Sequence, residues 1–119
     1  MRTLALTIGT SGMLILLLLA PVTSAMTANG GGLLGPSPGC ATVTLDGLET
    51  GGVWTFAWTS SGCGGPGSGT VTGSWDPAVG GCIGDLCLTN PGAVPPGIVT
   101  FDYTNMVMLH SGSVTLLII

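Results

Sequence analysis

From residue 40 onward the chain alternates apolar and polar positions in short runs, broken by Gly, Pro, Asn and Asp. Ala41-Thr42-Val43-Thr44-Leu45-Asp46 alternates strictly, so Ala41, Val43 and Leu45 share one face of a strand and Thr42, Thr44 and Asp46 the other. After a connection over Gly47–Gly52, the run Val53–Thr59 places Trp54, Phe56 and Trp58 together. Ser60–Ser68 (SSGCGGPGS) reads as loop. Gly69–Trp75 alternates again, with Val71 and Trp75 opposite Thr70, Thr72 and Ser74, and Asp76-Pro77 ends it. Cys82–Leu88 has the form of a tight hairpin about Gly84-Asp85. Asn90–Gly97 (NPGAVPPG) is irregular, because its prolines cannot donate to a ladder. Ile98–Tyr103 is a strand with Val99, Phe101 and Tyr103 on one face, and Asn105–His110 with Ser113–Ile119 reads as a hairpin joined around Ser111-Gly112.

No stretch past residue 40 keeps a helical period, so the pattern predicts about six to eight short strands. The expected fold is a small all-β, antiparallel β-sandwich of Greek-key or immunoglobulin-like type. The tail departs from simple alternation. Met106-Val107-Met108-Leu109 and Val114–Ile119 are apolar on both faces apart from Thr115. Such a strand belongs at the centre of a fold or under a partner, since as an exposed edge it invites aggregation.

The N-terminus follows a different rule. Met1-Arg2 is a short positive region, Leu4–Ala20 is apolar, Pro21 breaks the run, and Thr23-Ser24-Ala25 supplies small residues where a signal peptidase reads. This is the pattern of a secretory signal peptide over 1–25, cut after Ala25. If uncleaved it would be an N-terminal membrane anchor, although it approaches the ~20 apolar residues of a spanning helix only by counting several Thr, Gly and Ser. Residues 26–39, rich in Gly and Pro without a period, are expected to be a flexible leader, and 40–119 a single β domain.

Composition narrows the partners. Only 5% of residues are charged, and the single basic residue of the chain is Arg2, inside the signal peptide. The mature chain therefore has no Lys or Arg, while Asp46, Glu49, Asp76, Asp85 and Asp102 make it acidic. Nucleic acids and acidic lipids are bound by Lys and Arg neutralising phosphates, so neither is expected as a partner, and no membrane after cleavage. With 22 glycines, ordering the chain costs much backbone entropy.

The four cysteines, Cys40, Cys63, Cys82 and Cys87, all follow the cleavage site, and an even number in an exported chain reads as two disulfides. A hairpin about Gly84-Asp85 sets Cys82 opposite Cys87, and Cys40 and Cys63 both fall at the open end of the first hairpin. The expected pairing is therefore Cys40–Cys63 and Cys82–Cys87. On the chain-entropy model these loops contribute roughly 3 and 2 kcal/mol. A structural zinc site would need two closely spaced cysteine pairs, and there is only one.

The remaining candidates are sparse. Trp54, Trp58, Trp75 and Tyr103 could stack on sugar rings if exposed, although a chain with six aromatics needs them for its core. The carboxylates sit at strand ends, turns or outward positions, as solvated acids do, and no cluster supplies the oxygens that calcium needs. His110 has serines for neighbours but no nucleophile elbow. No catalytic residue, metal site or cofactor is expected. The leading expectation is a secreted or cell-surface, non-enzymatic structural or interaction domain that self-associates or meets a surface protein or glycan. The alternatives are a carbohydrate-binding module using Trp54, Trp58 and Trp75, and a small acid/base hydrolase built on Asp/Glu and His110.

Overall fold

A computed structural model describes residues 25–37 and 39–119. The expected signal peptide lies outside the described residues except for Ala25. Eight strands follow in chain order: β1 (Thr27–Gly35), β2 (Ala41–Thr50), β3 (Val53–Gly62), β4 (Gly67–Ser74), β5 (Gly80–Ile83), β6 (Leu86–Thr89), β7 (Gly97–Asn105) and β8 (His110–Ile118). They form one antiparallel sheet in the order β4-β3-β2-β1-β8-β7-β6-β5. Chain neighbours pair within each half, and β1 joins the halves by pairing with β8 from Ala28↔Ile118 to Gly35↔Ser111.

The all-β, antiparallel, disulfide-stapled expectation holds. The sheet, however, is nearly closed and barrel-like rather than clearly a sandwich, and its order is an up-and-down meander rather than a Greek key. It curls because one face of every long strand is apolar and has no second sheet to cover it. Trp75, just after β4, reaches across to Phe101 on β7 with ring centroids 5.3 Å apart. Its indole Nε1–H donates to the Leu88 carbonyl on β6 at 3.2 Å. The two edge strands, β4 and β5, approach through side chains, Val71 lying beside Gly84 and Ile83 beside Gly73.

Alternation places the core. Ala41, Val43 and Leu45 of β2, Trp54, Phe56 and Trp58 of β3, Val99, Phe101 and Tyr103 of β7, and Val114, Leu116 and Ile118 of β8 are all buried. The outward positions carry hydroxyls that pair across strands, Thr55 with Thr72 at 3.2 Å and Thr100 with Thr115 at 3.1 Å. The β2–β3 hairpin closes over two residues, Gly51 and Gly52, both at positive φ (59° and 87°), which is why two glycines stand there. Cys40 is bonded to Cys63, and Cys82 to Cys87 across the Gly84-Asp85 turn, the pairing that hairpin geometry predicts.

Four expectations need correction. The connection read over Gly47–Gly52 is shorter, because β2 runs on to Thr50 and only Gly51 and Gly52 turn the chain. The stretch 26–39, read as a flexible leader, contains β1, the strand between β2 and β8 at the middle of the sheet. Its Gly30-Gly31-Gly32 run has a packing cause: a Cβ on Gly30 or Gly32 would run into the Thr115 or Ser113 carbonyl of β8, and one on Gly31 into the Val43 carbonyl of β2. Ser60–Ser68 is mostly strand, because β3 extends to Gly62 and β4 begins at Gly67. Ser111-Gly112 is not the last turn. The chain reverses over Met106–Leu109, where the Asn105 side-chain carbonyl accepts the Val107 and Met108 N–H groups at 2.9 and 3.1 Å, and β8 starts at His110.

Candidate functional site

Where β2 turns into β3 and β4 runs on toward β5, an open cleft of about 540 Å³ is lined by Met26, Glu49, Gly52, Trp54, Ser74, Trp75, Asp76, Pro77, Gly80 and Gly81. It holds two of the five carboxylates. Glu49 is fixed from three directions. Its Oε2 accepts the Gly52 N–H at 2.6 Å, its Oε1 accepts the Met26 N–H at 3.2 Å, and its own backbone N–H donates to the Met26 carbonyl at 2.9 Å. Asp76 caps the turn after β4: its Oδ1 accepts the Ala78 N–H at 2.9 Å, and its carbonyl accepts from Val79 and Gly80. Both carboxylates thus spend part of their accepting capacity on backbone, which holds their orientation.

The aromatic wall of the cleft belongs to the core. Trp54 stacks on Phe56 with centroids 5.5 Å apart, and Trp75 meets both edge-on at 5.2 and 5.3 Å. Trp54, Trp58 and Trp75 are 1%, 3% and 7% exposed, and Tyr103 is 1% exposed, so the proposed ring-stacking residues offer no face to a sugar. This corrects the stacking assignment of Trp54, Trp58, Trp75 and Tyr103, and it removes the basis of the carbohydrate-binding alternative. The cause is supply. A barrel-like interior must be filled, and these are the largest side chains the chain has.

His110 lies at the opposite end of the sheet, buried, beside a smaller cavity of about 200 Å³ lined by Pro36, Cys63, Gly64 and Met108 among others. Its Nε2 is 2.8 Å from the Cys63 carbonyl, which can only accept, so that nitrogen carries a proton. Its Nδ1 faces the Ser60 Oγ at 3.4 Å, and Nε2 stands 3.8 Å from the Cys63 sulfur. Ser60 is itself buried and directs its hydroxyl to the Thr42 carbonyl at 3.0 Å. Among the described residues no carboxylate is hydrogen-bonded to this Ser–His pair. Glu49 and Asp76 line one cavity and His110 another, so the convergence that the hydrolase alternative needs is not made.

Sequence reasoning missed Ser60, Asn105 and the Met26–Glu49 contact. Ser60 was legible in principle, since it continues the inward period of Trp54, Phe56 and Trp58. Asn105 Nδ2–H donates to the Tyr103 hydroxyl at 3.1 Å, an i to i+2 contact on one strand face. The Met26 contact joins residues 23 apart in sequence, and no local pattern announces it. Of the other acids, Asp102 is exposed and accepts from Asn90 Nδ2 at 2.7 Å, and Asp46 and Asp85 face solvent. Among the described residues no three of His, Cys, Asp and Glu converge as metal ligands would, and no helix is long and apolar enough to cross a membrane. Two disulfides are consistent with an extracellular location. Comparison with protein-family models, curated proteins and solved structures finds no match to this chain.

Proposed function

We propose that the chain is an exported, non-enzymatic structural domain of the cell surface that associates with a second copy of itself through an apolar band on the outside of its sheet. One observation carries this reading. Ile98 and Leu117 are cross-strand partners on β7 and β8, both pointing outward at 71% and 45% exposure. Ile119 exchanges two backbone hydrogen bonds with Thr27, which in turn stands opposite Leu48 of β2. Ile119 and Leu48 are 65% and 52% exposed. The exposed aliphatics thus stand on β7, on β2 and at the end of β8, with Thr27 of β1 between Ile119 and Leu48, at one end of a face that elsewhere carries Thr and Ser together with Asn29, Asp46 and Asp102.

A cluster of exposed aliphatics rimmed by hydroxyls has the make-up of an interaction surface, whereas single exposed aliphatics are ordinary. The test is sedimentation over a wide concentration range. The oxidised wild type is expected to show a concentration-dependent rise in mass, and the Ile98→Lys/Leu117→Lys variant to lose it while remaining folded. A strict monomer at every concentration ends the reading.

A further inference from the structure

We propose that signal-peptide removal between Ala25 and Met26 creates a working part of the fold: the new α-ammonium of Met26 forms an ion pair with Glu49, fastening β1 to the β2–β3 hairpin at the rim of the cleft. The inference rests on the export reading above, and it uses residues that reading leaves idle.

Two independent features meet at one peptide bond. The first is the Thr23-Ser24-Ala25 sequence, small residues after an apolar run, which places cleavage after Ala25. The second is the contrast between Ala25 and the two residues that follow it. Ala25 is exposed and makes none of the hydrogen bonds described, whereas Met26 and Thr27 are held at every backbone group. Met26 N–H donates to Glu49 Oε1 at 3.2 Å, its carbonyl accepts from Glu49 at 2.9 Å, and Thr27 exchanges bonds with Ile119 at 2.8 and 3.1 Å. The Met26 side chain packs against the core. Cleavage after Ala25 therefore leaves no loose tail in front of β1.

The chemistry of the contact changes on cleavage. Water adds across the Ala25–Met26 peptide bond, Ala25 leaves with the carboxylate, and Met26 keeps the amine, which takes up a proton at neutral pH. A neutral amide N–H is replaced by a cation at the same place, 3.2 Å from an acid oxygen. The amide bond already has an ionised acceptor, so what cleavage adds is a full positive charge on the donor, which turns a charge–dipole contact into an ion pair. Glu49 is prepared for it, because its second oxygen is already held by the Gly52 N–H at 2.6 Å, which fixes the carboxylate plane. The Gly51-Gly52 turn that permits this bond is the one that closes the hairpin. The charged groups facing the new amine from the surrounding elements are Glu49 of β2 and, on the same cleft, Asp76 after β4, both acidic.

The mature chain contains no lysine, so its α-amine is its only aliphatic amine. That makes the test unusually clean. The full chain is expressed in a secreting host, and the exported protein is characterised by intact mass and then labelled with an amine-reactive ester across a pH series. The expected mass is that of a chain beginning at Met26. Labelling of the folded wild type is expected to be slower than that of Glu49→Gln by roughly three- to tenfold near neutral pH, with the labelling midpoint displaced to higher pH. Should Glu49→Gln fail to fold, the wild type in urea serves as the unpaired reference, and 1 M salt should bring the folded rate only part of the way toward it. An N-terminus still at Met1 sinks the export reading and this inference together. Cleavage at another bond, or equal labelling of wild type, Glu49→Gln and unfolded chain, overturns the inference alone.

Discussion

At the scale of single residues, the buried polar side chains among the described residues are Ser60, Asn105 and His110, each of which finds a partner. Tyr103 gives the group a measurable consequence. Its hydroxyl is buried, and burial pushes the phenol above its usual 10.0, with the Asn105 hydrogen bond acting in the opposite direction. Below about pH 10 the phenol is neutral in both folded and unfolded chains, and its packing is fully retained. As pH climbs from the ordinary value through the raised one, the unfolded chain ionises and the folded one resists, so stability falls. Tyr103 is the chain's only tyrosine, so tyrosinate absorbance reports it alone. A titration midpoint above 10.0, accompanied by loss of near-UV dichroism, is the expected outcome. A midpoint at or below the free phenol's value contradicts the burial.

At the scale of elements, β1 decides the architecture, since among the described strands it alone ladders the β2–β4 half to the β5–β8 half by backbone hydrogen bonds. Of its inward positions, Ala28, Gly30, Gly32 and Leu34, the two glycines stand opposite Leu45 and Val43 on β2 and Leu116 and Val114 on β8. Large neighbours meet over a small strand, and the backbones come close enough that a methyl group collides with a carbonyl oxygen. Gly30→Ala or Gly32→Ala is therefore expected to destabilise by on the order of 4 kcal/mol or to prevent folding. Gly92→Ala, in a loop where the added Cβ meets only the Thr100 carbonyl at 3.7 Å, should fall within about 0.5 kcal/mol of wild type. Urea unfolding of the three variants separates these outcomes. Equal costs would show that glycine content as such, and not the fit of β1, is what matters.

At the scale of the whole molecule, the disulfides sit in opposite halves of the strand order. Cys40–Cys63 ties the start of β2 to the end of β3 over a separation of 23 residues, and Cys82–Cys87 ties β5 to β6 over 5. Chain entropy assigns the longer loop about 3 kcal/mol and the shorter about 2. The Cys40→Ser/Cys63→Ser variant is thus expected to lose on the order of 15 °C in Tm, and the Cys82→Ser/Cys87→Ser variant less. Thermal unfolding by circular dichroism measures both. A greater loss from the shorter loop would show that the β5–β6 hairpin, at the sheet edge with few packed neighbours, depends on its bridge for more than entropy.

Much of this was written in local pattern. The strict alternation of β2, β3 and β7, the Gly84-Asp85 turn and the even cysteine count determine the strands, their inward faces and the cross-links, because side-chain period and turn chemistry act over a few residues. What the sequence left open required knowledge of neighbours. Glycine has no side chain with which to signal a period, so β1 became visible only once β2 and β8 flanked it. The tail's outward Leu117 and Ile119 became a surface only once the sheet curled and put Val114, Leu116 and Ile118 inside. Trp54, Trp58 and Trp75 became core rather than platform for the same reason. Met26 met Glu49 only when β1 was paired with β2, a contact made by tertiary proximity that no run of residues along the chain encodes.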